Sequence, residues 1–365
     1  MKVTGLQLYN YRNYGELELE LSPALNIFLG ANAQGKTNII EAVYYAAMAR
    51  SHRTNVEEDL IRWQCGEGKL KLDFERLGVE NQLQFVFNRE KRRQILYNGQ
   101  PIRHKEMMGL VNVVLFSPED LFMIKGAPAG RRHFLDGEIS QSSPAYYHEI
   151  LKYSRIVTQR NTLLKKIRER KAKADLLDSW DPQLSVSATR VVEKRQQAVK
   201  KLNMLAKLTH RRLSNNQENL NIYYEISGME DVTEDLISWY NSKLNQFREN
   251  DIMRGSTSIG PHRDDLILEV NGINLRTFGS QGQQRTGILA LKLAELEFIK
   301  SETGEYPILL LDDVMSELDE NRREQLLFFI KKERIQTLIT ATDRAYFPSL
   351  ASGKYYCVDN GRIVG

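Results

Sequence analysis

The segment GANAQGKT at residues 30–37 constrains the fold more than any other part of the sequence. It fits the pattern GxxxxGK[ST], which forms a phosphate-binding loop between a strand and a helix. An apolar run precedes it, and the helix-like NIIEAVYYAAMA follows it. Glycines let successive backbone N–H groups face phosphates, and the helix directs its positive end at the same place. The sequence therefore predicts a nucleotide site at Gly30, Ala31, Asn32, Ala33, Gln34, Gly35, Lys36 and Thr37.

Two carboxylates are predicted to complete this site. They follow the apolar strand in PILLLDDVMSELD at residues 307–319. Asp312 can hold Mg²⁺ directly or through water, and Asp313 can orient or deprotonate an attacking water. In the loop, Lys36 is expected to reach the β- and γ-phosphates and Thr37 to ligate Mg²⁺. We therefore predict a nucleoside triphosphate and Mg²⁺ as cofactors, with catalytic residues Lys36, Asp312 and Asp313; the family resemblance given below implies that the nucleotide is ATP.

A third polar element, SQGQQR at residues 280–285, opens a helix-like segment, ILALKLAELEFI. A serine, a glycine and polar side chains at a helix N-terminus form a second anion site. One chain does not need two γ-phosphate sites, but two chains related by a two-fold axis could each close this element over the partner's nucleotide. The competing interpretation is an ordinary helix-capping serine beside a surface loop.

The periodicity of apolar residues changes along the chain. Both ends show a mixed strand and helix pattern, with Asn-Gly hairpin signals at residues 98–99 and 271–272. From about residue 145 to 213, two helical stripes flank DLLDSWDPQ, which is typical of a helical hairpin. A further helix is predicted at 233–249. The prediction is an α/β protein whose main domain comes from residues 1–125 and 256–365, with a mainly helical domain inserted at 126–255.

The charge of the 365-residue chain is divided unevenly, although its net value is only +4. Residues 151–212 carry 17 Lys and Arg against 5 Asp and Glu. Such a segment indicates contact with a polyanion, while a solvated helical surface explains it equally well. No aromatic-rich stacking surface is evident, so backbone contact with duplex or junction DNA is favoured over base stacking. Candidate DNA contacts are Arg50, Arg53, Arg131, Arg132, Lys165, Lys166, Arg168 and Arg170.

Composition excludes several classes of protein. No apolar run approaches the roughly 20 residues that span a bilayer, and the N-terminus lacks the apolar segment of a secretory signal. Cys65 and Cys357 lie in no CxxC or Cys/His cluster, so neither a disulfide scaffold nor a structural zinc site is expected. We expect a cytoplasmic protein with no membrane partner. The three tryptophans are expected in the core or in interfaces, and His262 is open between a functional and a packing role.

The motifs and their order resemble the ABC/SMC-type ATPases, in which a P-loop and a distant strand-end aspartate enclose an inserted helical region. SQGQQR then corresponds to the signature motif, and Arg12 and Asn13 in LYNYRNY match residues near the nucleotide. More specifically, PEDLFMIKGAPAGRRHFLD, SHRT and GPHRDDL resemble segments of the RecF family of bacterial recombination mediators. This resemblance covers essentially the whole chain, and the short helical insert fits it better than it fits SMC proteins with long coiled coils.

The resemblance implies an ATP-dependent DNA-binding protein of recombinational repair and replication restart, with an ABC/SMC-type ATPase head and weak, DNA-stimulated ATPase activity. Members of the family dimerise on ATP, bind duplex, junction and single-stranded DNA, and work with RecR and RecO to place RecA at single-strand gaps, supporting the SOS response. By the same resemblance, the γ-phosphate held by one subunit is contacted by the other subunit's Ser280, Gly282 and Gln283.

Two departures from the wider class affect turnover. Thr342, followed by Asp343, stands where transporter-type ATPases have a switch histidine, which favours slow hydrolysis. FSPED at residues 116–120 offers no Gln, so no Q-loop residue is assigned. Alternatives are an ATP-fixed structural scaffold without turnover, another SMC-like repair ATPase, and a small-molecule P-loop enzyme such as a kinase. The signature element and the basic insert argue against the last.

Overall fold

The computed structural model shows an α/β protein in two compact units. It describes residues 1–230, 235–347 and 353–364. The first unit contains Met1–Asp120 and Lys292–Gly365, and the second contains Leu121–Leu291.

The divisions between the units differ from those in the sequence prediction, which placed them after residues 125 and 255. They fall after Asp120 and after Leu291. The second one comes later because Asp265–Val270 forms a strand that pairs with a strand of the insert. Backbone pairing therefore holds these residues in the second unit, although their mixed pattern resembles that of the first.

Strands predominate near the start of the chain, and long helices predominate in its middle. The strands are β1 (Lys2–Tyr11), β2 (Tyr14–Glu20), β3 (Leu25–Leu29), β4 (Glu67–Arg76), β5 (Val79–Asn88), β6 (Gln94–Tyr97), β7 (Gln100–Pro101), β8 (Val113–Phe116), β9 (Leu220–Glu225), β10 (Asp265–Val270), β11 (Ile273–Asn274), β12 (Ile308–Asp312), β13 (Thr337–Ala341), β14 (Lys354–Asp359) and β15 (Arg362–Ile363). The α-helices are α1 (Lys36–Met48), α2 (His104–Met107), α3 (Leu121–Lys125), α4 (Pro128–Ser142), α5 (Pro144–Arg168), α6 (Asp181–Leu213), α7 (Leu236–Gln246), α8 (Arg248–Arg254), α9 (Gln281–Thr303) and α10 (Glu320–Glu333).

An antiparallel sheet forms one layer of the first unit, in the order β2–β1–β4–β5–β6–β7. In β2, Leu17 and Leu19 are buried while Glu16, Glu18 and Glu20 are exposed, which confirms the predicted alternation. The leucines contribute to the core and the glutamates face water, as expected for a sheet with one buried face.

A mainly parallel sheet forms the other layer, in the order β15–β14–β3–β13–β12–β8. Strand β13 lies between β3 and β12 and is parallel to both. Helix α1 packs against strands of both sheets, and buried residues of all three elements form one apolar core. Because the carboxyl ends of parallel strands meet at one edge, this order brings the loop after β3 close to the acidic pair at the end of β12.

The second unit contains the predicted helical hairpin. Helices α5 and α6 pack on each other, and a small sheet in the order β11–β10–β9 packs against α4 and α6. The helix predicted at 233–249 is divided at Phe247 into α7 and α8, and its first residues lie outside those described. None of the helices in the described residues is long and apolar enough to cross a membrane.

Both predicted Asn-Gly turns are confirmed. Asn98 and Gly99 join β6 to β7, and Asn271 and Gly272 join β10 to β11. All four residues have φ between 49° and 78°. This left-handed conformation is the one that a two-residue hairpin turn requires, and Asn and Gly adopt it most easily.

Two segments, residues 118–136 and 260–266, resemble segments of the RecF family, and ion pairs and hydrogen bonds connect them inside the second unit. Arg131 is buried, forms a two-pronged pair with Asp265 at 2.7 and 2.8 Å, and donates to three backbone carbonyls. Arg195, also buried, pairs with Asp136 and donates to the Pro261 carbonyl at 2.7 Å. Since its guanidinium is occupied and buried, Arg131 has no surface for DNA, and its prediction as a DNA contact is replaced by a structural role.

His262 lies in this interior and has a packing role. Its Nδ1 accepts a hydrogen bond from the Tyr153 hydroxyl at 2.5 Å, and its Nε2 lies 3.1 Å from the Thr257 carbonyl oxygen. A carbonyl only accepts, so Nε2 carries the proton and the ring is neutral. Burial lowers the pKa of His262 from its usual 6.5 to about 4. Burial also raises the pKa of the Asp264 carboxyl to about 6.

These two pKa shifts have opposite effects on how the stability of the folded chain depends on pH. For His262, the unfolded chain binds the proton below its usual pKa of 6.5 while the folded chain does not, so stability is lost as pH falls from about 6.5 to about 4. For Asp264, the unfolded chain ionises first, so stability falls as pH rises through the interval up to about 6.

We predict that His262→Gln makes the second unit less sensitive to acid. Glutamine retains a donor for Thr257 but does not titrate, so between about pH 7.5 and pH 5 the unsubstituted chain should lose about 2 kcal/mol more than the variant. Urea unfolding in a Trp63→Phe background measures this, because the remaining tryptophans, Trp180 and Trp239, both lie in the second unit. Equal loss in both proteins would show that His262 is not a buried neutral ring.

Candidate nucleotide-binding site

The predicted phosphate loop lies between β3 and α1. Gly35 precedes the helix with φ +113°, a conformation that L side chains avoid. The Lys36 ammonium donates to the carbonyl oxygens of Gly30 and Ala31 at 2.6 and 2.7 Å. Burial lowers the pKa of Lys36, while the nearby charges of Asp313 and Asp312 oppose that shift. The loop thus holds a cation over its own backbone, in the position from which a lysine can contact a bound phosphate.

Asp312 joins the two halves of the site. Its Oδ1 accepts hydrogen bonds from the hydroxyl of Thr37, at 3.0 Å, and from the hydroxyl of Thr340, at 2.8 Å. A hydroxyl and a carboxylate oxygen are the hard ligands that Mg²⁺ prefers, and Mg²⁺ in such sites takes few protein ligands besides substrate phosphates. The pair therefore fits a magnesium ion. Within the described residues, no group of three or more His, Cys, Asp and Glu side chains forms any other metal site.

Asp313 has an unusual backbone conformation. Its φ is +55°, and its N–H donates to the Thr340 hydroxyl at 2.8 Å. Burial raises the pKa of the Asp313 carboxyl, and the positive charge of Lys36 acts against this rise. A half-buried carboxylate with a raised pKa, adjacent to the magnesium ligand, is chemically suited to accept a proton from water. Thr340, which holds both aspartates, was not predicted from the sequence.

Gln34 connects the phosphate loop to both ends of the chain. Its carbonyl accepts from the Asn13 amide and from the N–H of Gly361, both at 3.0 Å. Its side-chain oxygen accepts from the N–H of Asn360 at 2.6 Å. Asn360 and Gly361 form the turn between β14 and β15. The shape of the loop is therefore fixed by backbone groups of a C-terminal hairpin. Its Asn-Gly turn is a hairpin signal in the sequence, but the contact with the loop leaves no motif.

Arg12 is held by a buried carboxylate. Its guanidinium binds both oxygens of Glu41 on α1 at 2.8 and 2.6 Å and donates to the Asp59 carbonyl. Glu41 also accepts from the Ser51 hydroxyl at 2.5 Å, and Arg53 lies 3.8 Å away. This cluster joins the LYNYRNY and SHRT segments to the phosphate-loop helix. Asn13, the other residue predicted near the nucleotide, contacts the loop through Gln34.

The signature element lies in the second unit, at the start of α9. The Ser280 hydroxyl accepts from the Gln283 N–H at 3.2 Å, and the Gln283 side chain accepts from the Ser280 N–H at 3.0 Å. This reciprocal arrangement is a capping box. Ser280 and Gly282 are exposed, and Gln283 also donates to Glu218 at 2.9 Å. Within one chain, Ser280 therefore caps helix α9, as the competing interpretation from sequence expected. Its side chain nevertheless remains accessible.

The remaining predicted DNA contacts differ in their surroundings. Four of them, Lys165, Lys166, Arg168 and Arg170, are exposed at the end of α5 and just beyond it. Arg53 is exposed but donates to Asn38, while Arg50 is half-buried. Arg132 is half-buried and donates to the Asp264 carbonyl at 2.7 Å. The end of α5 is thus the most accessible part of the predicted set.

Trp63 does not lie in the core, which was one of the two locations expected for the tryptophans, and the other location, an interface, stays a prediction. Its side chain is 87% exposed. Trp180 and Trp239 are half-buried, and Trp239 packs edge-on against Tyr240. An aromatic ring at this level of exposure buries little surface and contributes little to folding, so Trp63 is better suited to contact a ligand than to stabilise the core.

Comparison with known proteins finds sequences that are similar to this chain over its whole length. A family model described as RecF/RecN/SMC N terminal domain matches residues 2–356. DNA replication and repair protein RecF of Natranaerobius thermophilus is 41% identical over 379 aligned residues, which cover 100% of this chain and 98% of that protein. The protein of the same name from Clostridium botulinum is 42% identical over 369 residues, covering 100% and 99%.

Comparison with solved structures also finds a RecF protein. The structure of the recombination mediator protein RecF with ATP in the RecFOR pathway has a TM-score of 0.91 and 33% identity, covering 100% of this chain and 97% of that one. The Smc head bound to the winged-helix domain of ScpA has a TM-score of 0.59 and 14% identity, covering 100% and 98%. The second likeness concerns the fold alone.

We predict that Gly361→Ala weakens nucleotide binding. A Cβ at this position would lie 2.7 Å from the Asn13 carbonyl oxygen, and φ is +72°, so the hairpin must move away from Gln34. We expect an affinity loss of about tenfold, in line with roughly 1 kcal/mol or more of backbone strain. Titration with a fluorescent ATP analogue measures it.

The matched control is Gly99→Ala. Gly99 occupies the same position of an Asn-Gly turn in the same unit, with φ +78° and open space around its Cβ. This control carries the strain of a left-handed alanine without touching the loop. If both variants bound the nucleotide equally, the hairpin would have no part in shaping the phosphate site.

Proposed function

Since the chain belongs to the RecF family of DNA replication and repair proteins, we propose that it is an ATP-dependent DNA-binding protein that dimerises on ATP and hydrolyses it slowly. The observation that carries the proposal is the hydrogen bond between Thr37 and Asp312 at 3.0 Å. It brings the phosphate loop and the acidic strand end into one site, as an ATPase requires.

In this proposal Lys36 leaves the carbonyls of Gly30 and Ala31 to bind the β- and γ-phosphates, while Thr37 and Asp312 hold Mg²⁺. The backbone of residues 30–35 surrounds the phosphates. Bound Mg²⁺ would neutralise charge that develops on the phosphates. Asn13 fixes the loop through Gln34, and Arg12 acts through Glu41 on α1. These assignments are supported by the geometry around α1 and by the ATP complex of a relative.

Asp313 is the proposed base for hydrolysis. Its raised pKa favours proton acceptance from water, although a carboxylate one methylene shorter than glutamate reaches less far. Thr342 is exposed at the position of the switch histidine and cannot carry an imidazole's charge. Both features support weak turnover, and stimulation of that turnover by DNA is proposed from the family resemblance. Thr342 also favours the second candidate function, an ATP-fixed scaffold in which hydrolysis has no part.

Dimerisation is proposed to use the signature element in trans. Ser280, Gly282 and Gln283 would contact the γ-phosphate bound by a second copy. The capping box supports this, because it fixes Ser280 at a helix N-terminus while leaving it exposed. Backbone N–H groups at such an end attract anions.

For DNA, we propose backbone contacts with duplex or with single-strand/double-strand junctions through the end of α5, at Lys165, Lys166, Arg168 and Arg170. Arg50, Arg53 and Arg132 are secondary candidates. The naming of a relative for the RecFOR pathway supports RecR and RecO as partners. Placement of RecA at single-strand gaps and a part in the SOS response are proposed from the family resemblance alone. Another SMC-like repair ATPase would share the site but not these partners.

We predict that Ser280→Arg blocks ATP-dependent dimerisation but leaves ATP binding by the monomer within about twofold of normal. The arginine side chain is much larger than that of serine and would occupy the space proposed for the partner's γ-phosphate. Oligomeric state and DNA affinity, measured by sedimentation and fluorescence anisotropy with and without ATP, test the whole proposal.

Lys36→Met is the contrasting variant, because it should lose nucleotide binding itself. A Ser280→Arg protein that still dimerised on ATP would rule out the trans arrangement. A chain whose DNA affinity did not depend on ATP at any salt concentration would rule out the proposed function.

We predict that Asp313→Asn lowers ATP turnover by at least tenfold, in the range typical of a lost general base, and prolongs the ATP-bound dimer. Asp312→Asn should instead weaken Mg²⁺-dependent ATP binding, because it removes the proposed metal ligand. Phosphate release and nucleotide titration separate the two effects. Unchanged turnover in Asp313→Asn would favour the scaffold function.

A further inference from the structure

Glu218 contacts the signature element from the connection between α6 and β9. Its carboxylate accepts a hydrogen bond from the side-chain nitrogen of Gln283 at 2.9 Å. Its backbone N–H donates to the Ser214 hydroxyl, and its carbonyl accepts from that hydroxyl, both at 3.3 Å. All three residues belong to the second unit, and Glu218 is half-buried. The backbone just beyond α6 therefore fixes this carboxylate beside Gln283.

The neighbouring imidazole of His210 does not neutralise the carboxylate. Its ring is buried, with Nδ1 at 3.4 Å from the Glu218 carbonyl oxygen and Nε2 at 3.9 Å from Glu218 Oε2. A carbonyl only accepts, so Nδ1 carries the proton and Nε2 turns a lone pair toward the carboxylate. Within the described residues Nε2 has no hydrogen-bond partner, as expected for two acceptors that face each other. Burial lowers the pKa of His210, which keeps the ring neutral.

Basic side chains do not neutralise Glu218 either. No lysine or arginine in the part of the chain that the structure describes forms an ion pair with it. Arg211, in the last turn of α6, instead donates to the side-chain oxygen of Asn219 at 2.6 Å. The negative charge of Glu218 is therefore left to a single neutral donor, the amide of Gln283.

Gln283 uses both polar groups of its side chain within one chain. Its oxygen accepts from the Ser280 N–H at 3.0 Å, and its nitrogen donates to Glu218. That nitrogen is the side-chain group with which Gln283 can bind a phosphate. Two acceptors that share one amide nitrogen lie within about 6 Å of each other. At this separation, which is shorter than the Debye length of about 8 Å at physiological salt, two negative charges repel.

We propose that Glu218 is an autoinhibitory residue, whose carboxylate weakens ATP-dependent dimerisation by repelling the γ-phosphate that a second copy brings to the signature element. The inference rests on the proposed dimer and concerns its strength. A two-fold dimer contains this repulsion twice. Because the proposed hydrolysis is slow, a tight ATP-bound dimer would persist, whereas repulsion at both signature elements lets the dimer dissociate before ATP is hydrolysed.

The rival role for Glu218 is to hold Gln283 in a position that favours the dimer. The Ser280 N–H already holds the oxygen of that side chain, and an uncharged acceptor at position 218 would hold its nitrogen equally well. The two roles predict opposite results when the carboxylate is removed. Loss of a repulsive charge strengthens the dimer, whereas loss of a positioning contact weakens it.

Glu218→Gln and Glu218→Ala test the proposal in the full-length chain. We expect each to lower the Kd of the ATP-dependent dimer by about tenfold at low salt, because each removes the charge. Glutamine adds a donor for phosphate and alanine adds none, so the effect must appear in both. The difference from the unsubstituted chain should shrink as NaCl is raised, since salt screens the repulsion. Sedimentation with a slowly hydrolysed ATP analogue measures the Kd.

Glu193→Gln is the matched control, because it removes an exposed carboxylate about 25 Å along α6 from His210. It should leave the dimer Kd unchanged, and affinity for a fluorescent ATP analogue should stay within about twofold of normal in all three variants. Unchanged or weaker dimerisation in Glu218→Ala would overturn the inference, as would an effect that does not depend on salt. If neither the unsubstituted chain nor the Glu218 variants dimerised on ATP, the proposed function itself would fail.

Discussion

The hydrogen bonds from Thr37 and Thr340 to Asp312 are the interaction on which the site depends. Thr37 and Asp312 are separated by 275 positions in the sequence, and no local preference can bring them within 3.0 Å. The order β3–β13–β12 does so, because it places the ends of three parallel strands side by side. Thr340, on the middle strand, contacts both Asp312 and the backbone of Asp313. The phosphate site is therefore a property of the sheet order as much as of the P-loop motif.

Much of this architecture was predictable from the sequence, since the strong signals are local. Strands β2, β3 and β12, the α5–α6 hairpin and the Asn-Gly turns follow from periodicity and turn chemistry, and the RecF family and its ABC/SMC-type head fold are confirmed by the comparisons. The Gln34 contacts were not predictable, because Asn360 and Gly361 act through backbone N–H groups that any residue carries. The sequence did not distinguish a core position from an interface position for Trp63, since burial depends on distant segments, and the structure excludes the core.

The arginines show most clearly where charge counting reaches its limit. Arg160 and Arg195 contribute to the basic excess of residues 151–212, yet both are buried in pairs with aspartates. Arg131 is likewise buried in a pair with an aspartate, Asp265. Removing such a cation from water is tolerated only where carboxylates and carbonyls satisfy its donors, so its charge is neutralised within the fold. The charge available to DNA in the insert is therefore smaller than the sequence suggests.

Helix α1 connects these features because it lies in the core between the two sheets. Its first turn carries Thr37 and Asn38, and its next turn carries Glu41, which binds Arg12 and Ser51. Asn38 lines the cleft beside the phosphate loop, so one buried helix contributes both to the loop and to that cleft. Interiors at native packing density move as units and do not deform continuously. A ligand that shifts α1 at the phosphate loop must then also alter the position of Asn38 and, through Glu41, that of Arg12.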